Sequence, residues 1–216
     1  MSQKVRYAIV GTGGRARSFT DPMIRRFSDA AELVGLCDRN QGRLDLYNQD
    51  ILPVELEHEA VPSYLAEDFD KMVKQTKPDC VIVTTVDAYH HEYIIRAMEL
   101  GCDVITEKPM TIDAEKCRAI FDAQAKYGKD IRVTFNYRWQ PGTTLVKRLL
   151  MEGVIGEVIH ADMEYLLNTS HGADYFRRWH REKDQSGGLM VHKATHHFDL
   201  VNWWLNAVPD TVFGFG

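Results

Sequence analysis

Short apolar runs alternate with amphipathic stretches through the first two thirds of the chain. Five runs have the length and residue types of buried strands: Val5–Val10, Leu33–Cys37, Cys80–Thr84, Val104–Thr106 and Ile131–Phe135. Stretches with helical spacing lie between them, and a polar connection that contains Pro53 and Pro62 is predicted between the second and third runs. The helical stretch over His91–Leu100 is followed by Gly101, a residue type that commonly terminates helices. Near-continuous apolar strands joined by helices predict a parallel sheet that is buried on both faces. Right-handed connections then make a doubly wound sheet the simplest topology.

The pattern of the chain changes after Pro141. A long strand is predicted to begin at Gly156, and a helix is predicted from the Gly187-Gly188 pair to Leu205. The last residues, from Thr211 to Gly216, resemble a strand that has no partner. We therefore expect a second domain here, and we expect it to be incomplete.

Composition and charge narrow the function classes. The 216 residues include 26 Lys and Arg against 31 Asp and Glu, which gives a net charge of −5. This balance argues against a dedicated nucleic-acid binder, which usually has a basic surface. No run approaches the ~18 apolar residues of a membrane helix. The cysteines have no CxxC spacing, so we expect reduced, mostly buried thiols in a cytoplasmic protein. They are Cys37, Cys80, Cys102 and Cys117.

A glycine-rich motif follows the first predicted strand. It reads Gly11-Thr12-Gly13-Gly14-Arg15-Ala16, fits the pattern G-x-G-x-x-A and opens a helix. In this context Gly11 permits a tight turn, and Gly13 lets the backbone approach a pyrophosphate. Ala16 is small enough for the helix to pack against the strand, and the helix N-terminus attracts phosphate. We interpret the segment as a dinucleotide-binding loop whose residues from Gly11 to Arg15 contact the cofactor.

Asp38 ends the second predicted strand, where a carboxylate accepts hydrogen bonds from the ribose hydroxyls of a dinucleotide. The same negative charge repels a 2′-phosphate, so Asp38 favours NAD over NADP. Arg39 and Arg43 weaken that preference, because a nearby arginine accommodates the phosphate. The sequence therefore predicts NAD as the cofactor and leaves NADP open.

Further motifs follow the later strands in a characteristic order. They are Thr85-Val86-Asp87-Ala88-Tyr89-His90, Glu107-Lys108-Pro109, Asn136-Tyr137-Arg138-Trp139-Gln140-Pro141, and then Gly187-Gly188 with His192, His196 and Asp199. In this order and spacing the chain resembles the glucose–fructose oxidoreductase / inositol dehydrogenase (Gfo/Idh/MocA) family from about Val5 to the C-terminus. The E-K-P tripeptide, combined with the G-G…H-x-x-D segment, is the most specific part of the resemblance.

The resemblance implies a fold, an activity and a set of cofactor contacts. The fold is an N-terminal Rossmann domain over residues 1–138 and the start of an α+β domain over residues 139–216, whose open, mostly antiparallel sheet often mediates homo-oligomerisation. The activity is that of an NAD(P)-dependent oxidoreductase acting on a hydroxyl of a sugar, sugar derivative or polyol. Neither a metal nor a membrane is part of that chemistry. Cofactor contacts are implied for Thr84, Thr85, His90, Glu107 and Lys108.

Two positions depart from the family pattern. The family commonly has a proline directly after Thr85, where this chain has Val86. The family often reads G-G-x-x-x-D-x-x-x-H, with both the Asp and the His near the substrate. Here His192 occupies the Asp position and His196 the His position. The substrate and the route of the proton therefore stay open.

Lys108 is the leading candidate for handling the reacting proton. It lies just beyond a predicted parallel strand, at the edge of the sheet where ligands bind. A positively charged nicotinamide would lower the pKa of the Lys108 amine, because a like charge disfavours its protonated form. The amine could then accept the proton of a substrate hydroxyl or hydrogen-bond the reacting oxygen. Glu107 is interpreted as a structural or ribose-binding neighbour.

His192 and His196 have the spacing of one face of the predicted helix, and Asp199 lies near the same face. His196 could act as the base or exchange a proton with Lys108, and Asp199 could orient a histidine or bind substrate. Two histidines at this spacing also suit zinc, but the family chemistry needs no metal. A structural polar cluster is the other alternative. Arg138 is a candidate for hydrogen bonds to substrate or cofactor, and Trp179 is a candidate for substrate contact because aromatic faces suit the C–H surfaces of sugars.

Two other functions stay open beside a dehydrogenase. Some members of the family keep NAD bound and oxidise a sugar transiently to make a glycosidic bond labile, so a hydrolase or lyase is one alternative. A non-catalytic NAD-binding regulator is the other, although such a protein has no need of Lys108 and His196. Net formation of NADH distinguishes a dehydrogenase from a redox-assisted hydrolase or lyase.

Overall fold

A parallel sheet of six strands forms the framework of the N-terminal part of the chain. The computed structural model describes residues 3–215, and the chain divides into two units, Met1–Thr134 and Phe135–Gly216. The strands of the first unit are β1 Val5–Val10, β2 Ala31–Asp38, β3 Ser63–Leu65, β4 Cys80–Val83, β5 Asp103–Thr106 and β6 Ile131–Val133. Their order is β3-β2-β1-β4-β5-β6, and every neighbouring pair is parallel. β2 and β3 lie on one side of β1, and β4, β5 and β6 lie on the other side. The predicted doubly wound topology is therefore confirmed.

Helices and short 3₁₀ turns connect these strands. The α-helices of the first unit are α1 Arg17–Arg25, α2 Gln41–Leu46, α3 Phe69–Thr76, α4 His90–Glu99 and α5 Ala114–Tyr127. The 3₁₀ turns are Gly14–Ala16, Ala66–Asp68 and Asp87–Tyr89. Gly101 has a positive φ of 90° directly after the end of α4, as its predicted role at a helix terminus requires.

Successive residues of the central strands enter two different hydrophobic cores. Ala8 and Val10 of β1 pack into one core, whereas Ile9 between them packs into the other. The same alternation holds on β4, where Val81 and Ile82 belong to different cores. Because side chains alternate along a strand, the sheet is buried on both faces, as predicted.

Two features of the first unit differ from the sequence prediction. The sequence does not predict β3, because three residues carry too short an apolar pattern. The segment around Pro53 is predicted as a polar connection, but α2 continues into a π-helix at Tyr47–Glu55. A proline inside a helix costs about 3 kcal/mol. The burial of Tyr47, Ile51 and Leu52 outweighs that cost, since each such side chain contributes about 1.5–3 kcal/mol.

Within residues 135–215, the regular elements of the second unit are all helices, and irregular segments connect them. Its α-helices are α6 Pro141–Met151, α7 Thr169–Gly172, α8 Asp174–Arg177, α9 Lys183–Ser186, α10 Leu189–His192 and α11 Thr195–Leu205. The 3₁₀ turns are Asn136–Trp139 and Trp179–Arg181.

The strand predicted from Gly156 is wrong, because residues 156–168 have no strand structure. A strand needs a neighbour to satisfy its N–H and C=O groups. Within residues 3–215 this segment has no such neighbour. Residues 211–215 also have no strand structure, and Gly216 lies outside the described residues.

The cysteines are free, and Cys37, Cys80 and Cys102 are buried, as expected. Burial raises the pKa of the Cys37 and Cys80 thiols to about 12, so they stay protonated at neutral pH. Across residues 3–215, no helix has the length and apolar character needed to cross a lipid bilayer.

Candidate functional site

Gly11 makes the tight turn at the carboxyl end of β1. Its φ is +91°, and a Cβ at this position would lie 2.6 Å from the carbonyl carbon of Thr84 and from the nitrogen of Thr85. The Gly11 N–H donates to the Cys37 carbonyl at 2.8 Å, and the Thr84 hydroxyl donates to the Gly11 carbonyl. A side chain here would be both strained and overpacked, so the β1 turn and the end of β4 approach each other closely only because residue 11 is glycine.

The helix that follows this turn begins without a side-chain cap. Gly13 occupies the N-cap of the 3₁₀ turn Gly14–Ala16, which leads into α1, and as a glycine it offers no side chain to cap the first-turn N–H groups. A Cβ on Gly14 would meet no atom within 4 Å, so the surface of the loop is open. Ala16 is fully buried, as its predicted packing role requires. Open backbone N–H groups at a helix N-terminus fit the pyrophosphate of a dinucleotide.

Asp38 is buried at the end of β2 and holds the glycine-rich loop. Its Oδ2 accepts hydrogen bonds from the Thr12 N–H at 2.7 Å and from the Thr12 hydroxyl at 3.0 Å, and its Oδ1 accepts from the Asn40 N–H at 2.9 Å. A carboxylate has about four acceptor positions, so the Thr12 and Asn40 contacts leave Oδ1 a further one. The Arg43 Nη1 lies 4.0 Å from Oδ2 on a largely exposed side chain, and Arg39 is exposed.

His90 is fully buried and connects the segments that follow β4 and β5. Its Nδ1 lies 2.9 Å from the Pro109 carbonyl oxygen, and its Nε2 lies 3.2 Å from the Thr85 carbonyl oxygen. The histidine predicted to contact the cofactor therefore fixes the backbone on either side of the predicted nicotinamide site.

Glu107 is buried and links three parts of the first unit. Its Oε1 forms an ion pair with the Arg15 Nη2 at 2.6 Å and accepts from the Thr134 hydroxyl at 2.7 Å, and its Oε2 accepts from the Lys108 N–H at 3.3 Å. These contacts match the structural interpretation of Glu107. They also connect the glycine-rich loop, through Arg15, to the E-K-P segment.

Lys108 is half-buried directly after β5, and its peptide bond to Pro109 is cis. Asp87, in the 3₁₀ turn after β4, is among the charged neighbours of Lys108. Burial raises the pKa of Asp87 to about 7; His90 and Lys108 act against this rise, and Glu107 adds to it. The carboxyl ends of β4 and β5 thus bring together a lysine, a histidine and two carboxyl groups.

The two histidines that were predicted to share a helix face lie in two different helices of the second unit. The chain is not one helix from Gly188 to Leu205: α10 ends at His192, and α11 begins at Thr195. His196 is 3% exposed and stacks on the Tyr137 ring, with centroids 3.9 Å apart. The single continuous helix from which the common face of His192 and His196 was predicted is therefore wrong, and the zinc alternative rested on the same helix.

His192 belongs to a group of rings that we call the aromatic cluster, formed by Tyr175, Trp179, His180 and His192. Its ring centroid lies 5.6, 5.5 and 4.6 Å from those of Tyr175, Trp179 and His180, respectively. Trp179 stacks on His180 at 3.8 Å. Trp179 and His192, both predicted to bind substrate, are thus brought together.

Lys193 is the residue that sequence reasoning missed. It is buried in the break between α10 and α11, and its Nζ donates to the Tyr137 hydroxyl at 2.7 Å. The same ammonium lies 5.1 Å from the Tyr137 ring centroid and 5.6 Å from that of Tyr165. The only signal in the sequence is a lysine directly after His192, among apolar and aromatic residues. Burial and then the charge of Lys193 lower the pKa of His197.

Arg138 and Asp199 form a bidentate ion pair with each other. The Arg138 Nε donates to Asp199 Oδ2 at 2.8 Å, and its Nη2 donates to Oδ1 at 2.5 Å. The guanidinium also lies 5.7 Å from the Trp203 ring. Both residues were predicted to contact substrate. Within the second unit, they form an ion pair with each other.

The fold and the loop together define a class of protein. A βαβ unit with an uncapped helix N-terminus after Gly11-x-Gly13, and a buried acid at the end of β2, are the features of a dinucleotide-binding Rossmann domain. The model of the GFO_IDH_MocA oxidoreductase family, NAD-binding Rossmann fold, matches residues 5–135. The model of that family's C-terminal alpha/beta domain matches residues 147–216. The chain belongs to this family, which confirms the resemblance drawn from its motifs.

Individual relatives show how far the similarity extends. The chain is 42% identical over 207 residues to YteT of Bacillus subtilis (strain 168), covering 95% of this chain and 47% of YteT. It is 30% identical over 147 residues to the 2,7-anhydro-N-acetylneuraminate hydratase of Escherichia coli (strain K12), covering 68% of this chain and 39% of that protein. The structure of scyllo-inositol dehydrogenase from Lactobacillus casei with bound NAD(H) and scyllo-inositol matches with a TM-score of 0.76 and 21% identity, covering 94% of this chain and 57% of that one. The chain spans about half the length of the curated relatives it matches.

Proposed function

We propose that this protein is an NAD-dependent oxidoreductase that transfers a hydride between the nicotinamide and a hydroxyl of a sugar, sugar derivative or polyol. The observation that carries the proposal is the position of Lys108: it follows β5, beside the residues that hold the glycine-rich loop of an NAD-binding family. The fold match to a scyllo-inositol dehydrogenase crystallised with NAD(H) supports the same class of substrate.

The residues of the first unit have distinct roles in this proposal. The N–H groups after Gly13 bind the pyrophosphate, and the remaining acceptor position of Asp38 binds a ribose hydroxyl. Bound NAD supplies the hydride acceptor. The Lys108 Nζ takes the proton of the substrate hydroxyl, and Glu107 and His90 fix the backbone on either side of that lysine.

For the second unit we propose substrate contacts from the aromatic cluster and from His196. Trp179 and His192 offer ring faces and edges, which suit the C–H surfaces of a sugar. His196 stays a proposed proton-transfer residue, with its ring held flat against Tyr137.

A hydrolase or lyase that oxidises its sugar only transiently is the second candidate. Two observations favour it: a relative 30% identical is named a hydratase, and His192 stands where the family often has aspartate. Such an enzyme would use the same cofactor and the same Lys108, but it would return the hydride before product release.

The test is a panel of sugars, polyols and glycosides given to the full-length protein with NAD. NADH formation is followed by absorbance, and bond cleavage is followed by product analysis. A dehydrogenase accumulates NADH, and the second candidate cleaves a glycoside without net NADH. Lys108→Ala should lower either activity strongly, whereas Lys74→Ala, at an exposed lysine on α3, should leave it unchanged. NAD binding with neither activity across the panel would favour a non-catalytic regulator.

We further propose a homo-oligomer located in the cytoplasm. The second unit exposes large apolar side chains, including Ile159 and Leu166, which a subunit contact would cover. Buried free thiols suit a reducing compartment. Light scattering on the full-length protein measures its mass, and a monomer at micromolar concentration would contradict the first part of the proposal.

A further inference from the structure

Asp87 is a buried carboxyl group to which the proposed mechanism gives no role. It is the first residue of the 3₁₀ turn between β4 and α4, and it is 3% exposed. A carboxylate removed from water is costly unless positive charge lies beside it. Nearby positive charge is therefore needed to offset the cost of burying the Asp87 carboxylate.

His90, three residues further on, joins the two segments that carry Asp87 and Lys108. Its Nδ1 lies 2.9 Å from the Pro109 carbonyl oxygen, and its Nε2 lies 3.2 Å from the Thr85 carbonyl oxygen. The strands that precede these segments are hydrogen-bonded neighbours in parallel register, with Val83 of β4 opposite Thr106 of β5. The turn that contains Asp87 and the segment that contains Lys108 are therefore held together at the carboxyl edge of the sheet.

Lys108 carries positive charge on the second of these segments. The charged groups that influence the Asp87 carboxyl are His90, Lys108 and Glu107, and the first two favour its ionised form. The negative charge of Glu107 is paired with the Arg15 guanidinium at 2.6 Å. Asp87 is thus a second buried acid beside Lys108, and its charge and that of the Lys108 ammonium stabilise each other.

On the basis of the function proposed above, we propose that Asp87 is a positioning residue for Lys108: its carboxylate orients the Lys108 ammonium at the carboxyl edge of the sheet and sets the pH at which that group releases its proton. The sign follows from Coulomb attraction. A negative charge within about 4–6 Å stabilises the protonated amine, so its removal makes deprotonation easier.

Asp87→Asn tests the proposal because it removes the charge and keeps the shape. In the full-length protein, lysines are dimethylated with ¹³C-formaldehyde, and the methyl signals are titrated by NMR with and without NAD. Lys108→Arg identifies the Lys108 signal by its loss. We expect Asp87→Asn to lower the titration midpoint of Lys108 by about 1 pH unit or more. Asp122→Asn, an exposed charge on α5, is the matched control and should leave the midpoint unchanged.

A second measurement keeps the proposal falsifiable if Asp87→Asn does not fold. In the wild-type protein, the Lys108 methyl shift should show a second inflection near neutral pH, as Asp87 itself titrates. A single inflection at the pH of an exposed lysine, or an Asp87→Asn midpoint equal to that of the wild type, would overturn the proposal.

The NMR titration tests the role of Asp87 independently of the proposed oxidoreductase activity. If the wild-type protein oxidises no sugar or polyol, the function fails while the titration still reports on Asp87 and Lys108. If the protein is active, the pH at which its oxidation rate rises should move down in Asp87→Asn by the same amount as the NMR midpoint. A rate that falls uniformly at all pH values would assign Asp87 a structural role and would also overturn the proposal.

Discussion

Gly11→Ala is the sharpest test of the tight turn at the carboxyl end of β1. The added methyl would lie 2.6 Å from the Thr84 carbonyl carbon, which belongs to backbone and cannot move aside alone. Holding alanine at φ +91° costs about 1–3 kcal/mol, and overpacking a rigid contact costs about 1–3 kcal/mol more. We therefore expect Gly11→Ala to lower the free energy of unfolding by about 2–6 kcal/mol, a large fraction of the ~5–15 kcal/mol of an ordinary protein.

Urea unfolding of the full-length protein, followed by fluorescence, measures this loss. Gly14→Ala is the matched control, because its Cβ meets no atom within 4 Å and alanine is the better helix former. Its unfolding midpoint should equal or exceed that of the wild type. Equal midpoints for the Gly11 and Gly14 variants would refute the reasoning, since they would show that the turn yields to a side chain at little cost.

Three further predictions concern charged residues. Asp38→Ser should lower the NAD/NADP affinity ratio, measured by titration calorimetry, because the charge that repels a 2′-phosphate is lost; an unchanged ratio would contradict the assignment. Lys108→Ala should lower turnover by roughly 10²–10⁴ and leave NAD affinity nearly unchanged, and near-normal turnover would remove this lysine from the mechanism. Lys193→Met should raise the pKa of His197, followed by NMR, because a buried positive charge near the ring is removed. Lys147→Met is the control for that titration, and a similar rise in both variants would argue against a specific effect.

The first unit could be predicted from sequence because its signals are local. β1, β2 and β4 are near-continuous apolar runs, and the turn after β1 needs glycine for reasons within a few residues. The contacts inside the site could not be predicted in the same way. The Arg15–Glu107 ion pair and the contact between His90 and the Pro109 carbonyl join segments from different strand connections, and no periodicity encodes them.

The second unit shows why a helical period does not by itself bring two histidines to one face. The spacing of His192 and His196 places them on one helix face only if the helix is continuous. Here α10 ends at His192, and Lys193 lies before the start of α11. A lysine costs several kcal/mol to bury as an isolated ammonium. Here the Tyr137 hydroxyl accepts its hydrogen bond, and the rings of Tyr137 and Tyr165 stabilise its charge. Lys193 lies between the end of α10 at His192 and the start of α11 at Thr195, and the same tyrosine stacks on His196. Tyr137 is therefore part of the surroundings of His196, whereas His192 belongs to the aromatic cluster. Any proton-transfer role for His196 depends on a residue 59 positions away, which the G-G…H-x-x-D motif does not contain.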